Sequence, residues 1–246
     1  MIKKIKEKPL SEIEIEWDHM CASRQAVIDS GKDVSLELVT APCLLQKVQK
    51  QKPTSLIDVG CGTGYLTAKL AELVSLCVGI DASGRSIEIA KKKYSKGRAH
   101  FFEYRISEYV TDIPFEMCVA NMVFSSDPEL SCSLKAIHKM LSTKGKLLVV
   151  IPHPCFWAKY WNFETEEWFD YSKEIFVEHD FSVSLVKSLG KATYIHRPLQ
   201  QYINEITSSG FQLKELEELE PVGPLPAGYR YDYPRFLFME FQKAKI

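Results

Sequence analysis

Leu56-Ile-Asp-Val-Gly-Cys-Gly-Thr-Gly-Tyr65 is the stretch on which the reading of this chain turns. Ser55 to Val59 is a short apolar run closed by glycines, the pattern of a buried strand. Tyr65 to Val74 has helical period. Between them, glycines allow a tight turn and let a ligand approach the backbone. Free N–H groups at the start of the following helix can hold an anion. The glycines are Gly60, Gly62 and Gly64, spaced G-x-G-x-G. A dinucleotide fingerprint, G-x-G-x-x-G, needs its third glycine where Tyr65 stands, and no G-K-[ST] follows to make a phosphate loop.

Two acids narrow the ligand. Asp58 lies just ahead of the first glycine, where a carboxylate repels a pyrophosphate and suits a cationic amino group. Asp81 closes a second apolar run, Cys77 to Ile80, where an acid accepts the hydroxyls of a ribose. An anion-binding turn with these acids describes a ligand with a ribose, an amino group and a carboxylate, and no phosphate. S-adenosyl-L-methionine has this profile. A glycine turn of purely structural use is the alternative.

Outward from the turn, the chain alternates. A helix is expected over Ser83 to Tyr94, strands over His100 to Arg105 and Met117 to Phe124, a helix over Pro128 to Leu141 and a fifth strand over Lys146 to Ile151. Short apolar strands between helices imply a parallel sheet covered on both faces, hence an α/β fold. Residues 11–52 read as helical. Leu199 to Ser209 has helical period, and Phe211 to Leu219 and Phe236 to Gln242 read as a closing strand pair. Four prolines between Pro221 and Pro234 forbid a regular element there.

Composition excludes more than it assigns. The 246 residues carry a net charge of −1, which argues against a dedicated nucleic-acid binder and against a polybasic membrane anchor. Seven cysteines include no C-x-x-C pair, so reduced thiols in a cytoplasmic protein are expected rather than a disulfide frame or a metal site. No apolar run approaches membrane-spanning length, and Met1 to Leu10 has no apolar stretch behind its lysines, so neither a span nor a signal peptide is expected.

The turn and its flanks resemble the class I S-adenosylmethionine-dependent methyltransferases. Val59-Gly-Cys-Gly-Thr-Gly64 is similar to the family's first motif, and Val78-Gly-Ile-Asp-Ala-Ser83 to its second-strand motif. The resemblance implies a Rossmann-like, doubly wound, seven-stranded sheet of order 3-2-1-4-5-7-6 with strand seven antiparallel. It implies that Asp81 binds the ribose, that Ala82 packs on adenine and that Ile106 and Ser107 frame the other adenine face. Arg105 stands where the family often has an acid. Asn121 and Met122, in Ala120-Asn-Met-Val-Phe124, are implied beside the methionine part of the cofactor, with Asp58, Gly60, Cys61, Gly62 and Gly64 completing the turn. Trp17 is implied as a lid residue; a plain core tryptophan is the alternative.

The expected organisation is one domain. Residues 1–52 form a helical cap, 53–151 the cofactor-binding core, 152–197 an aromatic insertion facing the substrate, and 198–246 a C-terminal helix and hairpin. The insertion holds 11 of the 28 aromatic residues and three of the four tryptophans, with no clear period. It reads either as an apolar pocket wall or as a helical subdomain. His153, directly after the fifth strand, is the candidate general base, since imidazole titrates near neutrality; a structural histidine between two prolines is the alternative. Glu178-His-Asp180 reads as a solvated loop.

These residues point to methyl transfer from S-adenosyl-L-methionine, giving S-adenosyl-L-homocysteine, to an O or N atom of a small molecule or short peptide. The expected protein is a monomer or homodimer, acting without a metal, a membrane or a nucleic acid. A methyltransferase for RNA or protein, an NAD-dependent oxidoreductase and a non-catalytic cofactor-binding module stay open as alternatives.

Overall fold

The computed structural model describes residues 2–244. Its elements are β1 (Lys3–Lys4), α1 (Leu10–Asp29), a π-helical turn (Leu36–Thr40), α2 (Ala41–Gln51), β2 (Ser55–Val59), α3 (Tyr65–Leu70), β3 (Leu76–Asp81), α4 (Gly84–Lys93), β4 (Ala99–Glu103), β5 (Phe115–Asn121) and α5 (Leu130–Met140). The chain continues through β6 (Leu141–Pro152), α6 (Trp157–Tyr160), β7 (Ile175–Val183), β8 (Val186–His196), α7 (Leu199–Ser208), β9 (Phe211–Glu218) and β10 (Phe236–Lys243). No described helix is long and apolar enough to cross a membrane.

The main sheet runs β4-β3-β2-β5-β6-β10-β9. Counted along the chain within that sheet, this is the order 3-2-1-4-5-7-6. Strands β4 to β6 are parallel, and β10 lies antiparallel between β6 and β9, with Leu237 opposite Ile151. Every residue of β2 is buried, as a central strand covered on both faces must be. Leu44 and Val48 of α2 and Leu66 and Leu70 of α3 pack one face with Leu56 and Leu148. Leu130, Leu134 and Ile137 of α5 and Tyr202 and Ile206 of α7 pack the other with Ile57 and Val149. The sheet is therefore doubly wound. The exposed acids of the β9 edge, Glu215 and Glu217, pair with Lys47 at 2.7 and 2.9 Å and discourage edge-to-edge association.

The insertion is neither a subdomain of helices nor a loop. After the single helical turn of α6 it forms a long antiparallel hairpin, β7–β8, and β1 joins its edge to make a second, three-stranded sheet. Glu178, His179 and Asp180, expected in a solvated loop, lie in β7. The alternation is hidden because β7 is apolar on both faces at its start, Ile175, Phe176 and Val177 all being buried.

Candidate active site

The parallel strands all end on one side, and the loops leaving them surround a cavity of about 320 Å³. That volume is within the ~300–1,000 Å³ range of small-ligand sites. The glycine turn forms its floor. The N–H groups of Gly60 and Cys61 both donate to the Ile80 carbonyl, at 2.8 and 3.0 Å, which fastens the turn to the end of β3. Gly60, Gly62 and Gly64 all have left-handed φ. Gly60, Cys61 and Gly62 line the cavity; Gly64 sits behind, against Phe101 and Ala90.

Asp81 lies on the cavity wall. Its two carboxylate oxygens each accept one backbone N–H, from Gly62 and Ser83, both at 2.8 Å. Both oxygens keep further lone pairs. Burial raises its pKa, and the two N–H donors oppose that rise. Ala82 follows it on the cavity wall, and Ile106, in the 3₁₀ turn after β4, also lines the cavity. Ser107 in the same turn is exposed and outside the wall.

Asp58 is not on the wall. It is buried beneath the turn and accepts the Thr67 hydroxyl at 2.6 Å, tying α3 to β2. Burial pushes its pKa up to about 7, against the Thr67 bond, and the charge of Asp81 adds to the rise. The folded state therefore binds a proton that the unfolded chain releases near pH 4, so this group makes stability fall as pH rises from about 4 to 7. Asp58→Asn is expected to flatten that fall in urea unfolding measured across the interval. Asp81 and Asp127, raised in the same direction, keep part of the slope.

Asn121 and Met122 border the turn from the end of β5 and line the cavity. Met122 has a left-handed φ of 65°, unusual for a residue with a side chain and held by its N–H to the Val150 carbonyl at 2.8 Å. The Asn121 Oδ1 is buried without a hydrogen-bond partner among the described residues, an acceptor that a ligand N–H would satisfy.

Helix α1 lies across the opening, pinned at three places. Glu14 holds the Arg105 guanidinium through two bonds of 2.6 and 2.8 Å. Glu16 accepts the backbone N–H and hydroxyl of Thr193 in β8, at 2.8 and 3.0 Å. Asp18 accepts the Ser83 hydroxyl at 2.5 Å. Arg105 thus fastens the covering helix. Trp17 lines the cavity and meets Phe181 of β7 edge to face, with centroids 5.3 Å apart.

His153 stands outside the cavity wall and is buried. Its Nδ1 accepts the Cys155 N–H at 3.2 Å, and its Nε2 faces the Glu218 carboxylate at 3.1 Å. Both ring nitrogens are engaged, Nδ1 within the loop after β6 and Nε2 in a link across to β9. The imidazole that does line the cavity is His179, which the sequence reading left in a loop. The available signal was the spacing of Ile175, Val177, His179 and Phe181 at every second residue.

A family model described as a methyltransferase domain matches residues 50–204. An uncharacterized protein of Haemophilus influenzae is 25% identical over 74% of this chain and 76% of its own length. A malonyl-[acyl-carrier protein] O-methyltransferase of Priestia megaterium is 30% identical over 38% of this chain, and the alignment spans only 35% of that relative. Among solved structures, an S-adenosylmethionine-dependent methyltransferase of Clostridium acetobutylicum superposes with a TM-score of 0.64 at 12% identity, covering 91% of this chain and 99% of that one.

Proposed function

The chain belongs to the methyltransferase-domain family, and from that premise we propose that it transfers the methyl group of S-adenosyl-L-methionine to an oxygen or nitrogen of a small, partly aromatic acceptor. The carrying observation is the cavity itself, where Asp81, the open side of the glycine turn and the orphaned Asn121 Oδ1 meet an aromatic wall. In this reading Asp81 takes the ribose hydroxyls, Ala82 and Ile106 flank the adenine, and Asn121 receives the amino group in place of the inward-buried Asp58. When bound, the cofactor supplies an electrophilic methyl on a sulfonium whose sulfide leaves without an acid. The chain's own task is then proximity and alignment. The aromatic rings of Trp17, Trp157 and Trp161 suit both a cationic sulfonium and an apolar acceptor.

A small acceptor is favoured because α1 and the hairpin cover the cavity, and the near-neutral chain offers no excess of cations to a nucleic acid. A cytoplasmic setting and a monomeric or homodimeric state belong to the same proposal. Titration calorimetry with S-adenosyl-L-methionine and S-adenosyl-L-homocysteine tests it. Binding of both is expected, and Asp81→Ala is expected to weaken it roughly 10- to 150-fold, about 1.5–3 kcal/mol for a charge-assisted hydrogen bond. No binding of either at ~1 mM, an affinity of only about 4 kcal/mol, overturns the reading.

A further inference from the structure

On the inward face of β7, Val177, His179 and Phe181 stand in alternation, with Ala192 and Tyr194 facing from β8. His179 is the one imidazole among the described residues of the cavity wall. It is only 5% exposed, and its ring packs against Trp161. Its Nδ1 is buried with no hydrogen-bond partner among the described residues. A buried nitrogen is costly to leave unpaired, so its retention beside a cavity points to a ligand group that satisfies it.

The hairpin also sets where that nitrogen sits. Ala192 is the cross-strand partner of His179, and the next residue, Thr193, accepts the Ser126 hydroxyl through its carbonyl at 3.1 Å. Ser126 belongs to the loop that begins at Asn121 and Met122. The strand that pairs with His179 is thus tied to the loop that follows Asn121 and Met122. Strand alternation turns Glu178 and Asp180 to the other face, where Lys3 and Lys191 approach Glu178 at 3.1 and 3.2 Å.

We propose that His179 takes the proton from the hydroxyl of an aromatic acceptor, a role that rests on the methyl-transfer reading above. The acceptor's O–H bond breaks, its proton passing to the imidazole and its electron pair forming the new bond to the methyl carbon. The pair of the methyl–sulfur bond stays on sulfur. Positive charge moves from sulfonium to imidazolium, so the cavity's net charge is unchanged, and the proton then leaves to water. Burial lowers the pKa of this imidazole to about 3, against the nearby Asp180 and Glu178, so the ring is neutral at neutral pH, and a developing aryl-oxide beside it is what would favour its protonated form. The aromatic part of the acceptor would lie among Trp161, Trp17 and Phe181.

The test compares wild type with His179→Gln and His179→Asn on two probes, an unsubstituted phenol and a nitrophenol that is already ionised at mildly alkaline pH. On the phenol the variants should lose roughly 10²–10⁴-fold in turnover, the usual share of general-base catalysis. On the ionised probe they should stay within a few-fold of wild type, because no proton remains to be taken. Calorimetry with S-adenosyl-L-homocysteine should give the same affinity for all three proteins. In ¹⁵N spectra of that complex, the His179 ring nitrogens should shift when the phenol is added. Equal losses on both probes, or wild type that binds S-adenosyl-L-homocysteine yet methylates neither, overturns this assignment while leaving the methyl-transfer reading standing. Absence of S-adenosyl-L-homocysteine binding instead overturns that reading.

Discussion

Arg197→Met is expected to lower the stability of the folded chain by about 2–5 kcal/mol, chiefly because two buried carbonyls lose their donor at about 1–3 kcal/mol each. For a chain of this size that corresponds to a melting shift on the order of 10 °C. Arg197 is 1% exposed, and its guanidinium does three things at once. Nε donates to Glu174 at 2.6 Å, Nη1 to the Phe124 carbonyl at 2.8 Å and Nη2 to the Asp127 carbonyl at 2.8 Å. Methionine preserves much of the packing and none of the donors, leaving two buried carbonyls of the loop after β5 without them. That loop lines the cavity, so affinity for S-adenosyl-L-homocysteine should fall together with the melting temperature. Arg197→Lys should rescue little, since a single ammonium cannot reproduce the planar fork that spans the two carbonyls and the carboxylate. A lysine variant with wild-type melting would show that the charge alone suffices.

Arg197 also shows where reading a sequence runs out. Its three partners lie 23, 73 and 70 residues away along the chain, and nothing local in Ile195-His-Arg-Pro-Leu199 names them. The same holds for Arg105, whose partner Glu14 precedes it by 91 residues, and for His153, whose nitrogens are taken by Cys155 and by Glu218, a residue 65 positions later. His153 after a strand, between prolines, is a plausible base only while the strand that closes over it is unseen. The strand order and the place of Ala82 came with the family resemblance, whereas the glycine turn and Asp81 were legible in the residues themselves. Each depends on a parallel strand buried on both faces, which writes itself as one apolar run, followed by residues within a single turn of backbone. Asp58 lies between these cases. Its position in the motif was readable, but its direction was not, because the Thr67 hydroxyl that captures it belongs to the packing of α3 on β2. The β7–β8 hairpin was lost for a further reason. Its start is apolar on both faces, and its polar alternation covers only Glu178 to Asp180, too short a stretch to read as a strand.

The glycine turn offers the second large effect, and two of its residues should fail in opposite ways. Gly62→Arg is expected to abolish binding of S-adenosyl-L-methionine and S-adenosyl-L-homocysteine, a loss of at least about 1,000-fold or some 4 kcal/mol, while the protein stays folded. Gly62 lines the cavity with φ +54°, and nothing lies within 4 Å of where its Cβ would stand. A side chain there meets no protein atom at its root, so the fold bears only the left-handed strain of roughly 1–2 kcal/mol. The long cationic chain then occupies space in which the ligand's own atoms are expected. Gly64→Ala should do the reverse. At φ +83° its new methyl would stand 2.7 Å from the Phe101 ring and 2.9 Å from the Ala90 Cβ, contacts that no real Cβ tolerates. Overpacking of about 1–3 kcal/mol adds to the same backbone strain, and the cost falls on the joint between α3, α4 and β4. Melting curves and calorimetry on the two variants separate these outcomes. A folded Gly62→Arg that binds S-adenosyl-L-homocysteine as wild type does would remove the turn from the ligand site. A Gly64→Ala as stable as wild type would show that Phe101 moves aside freely.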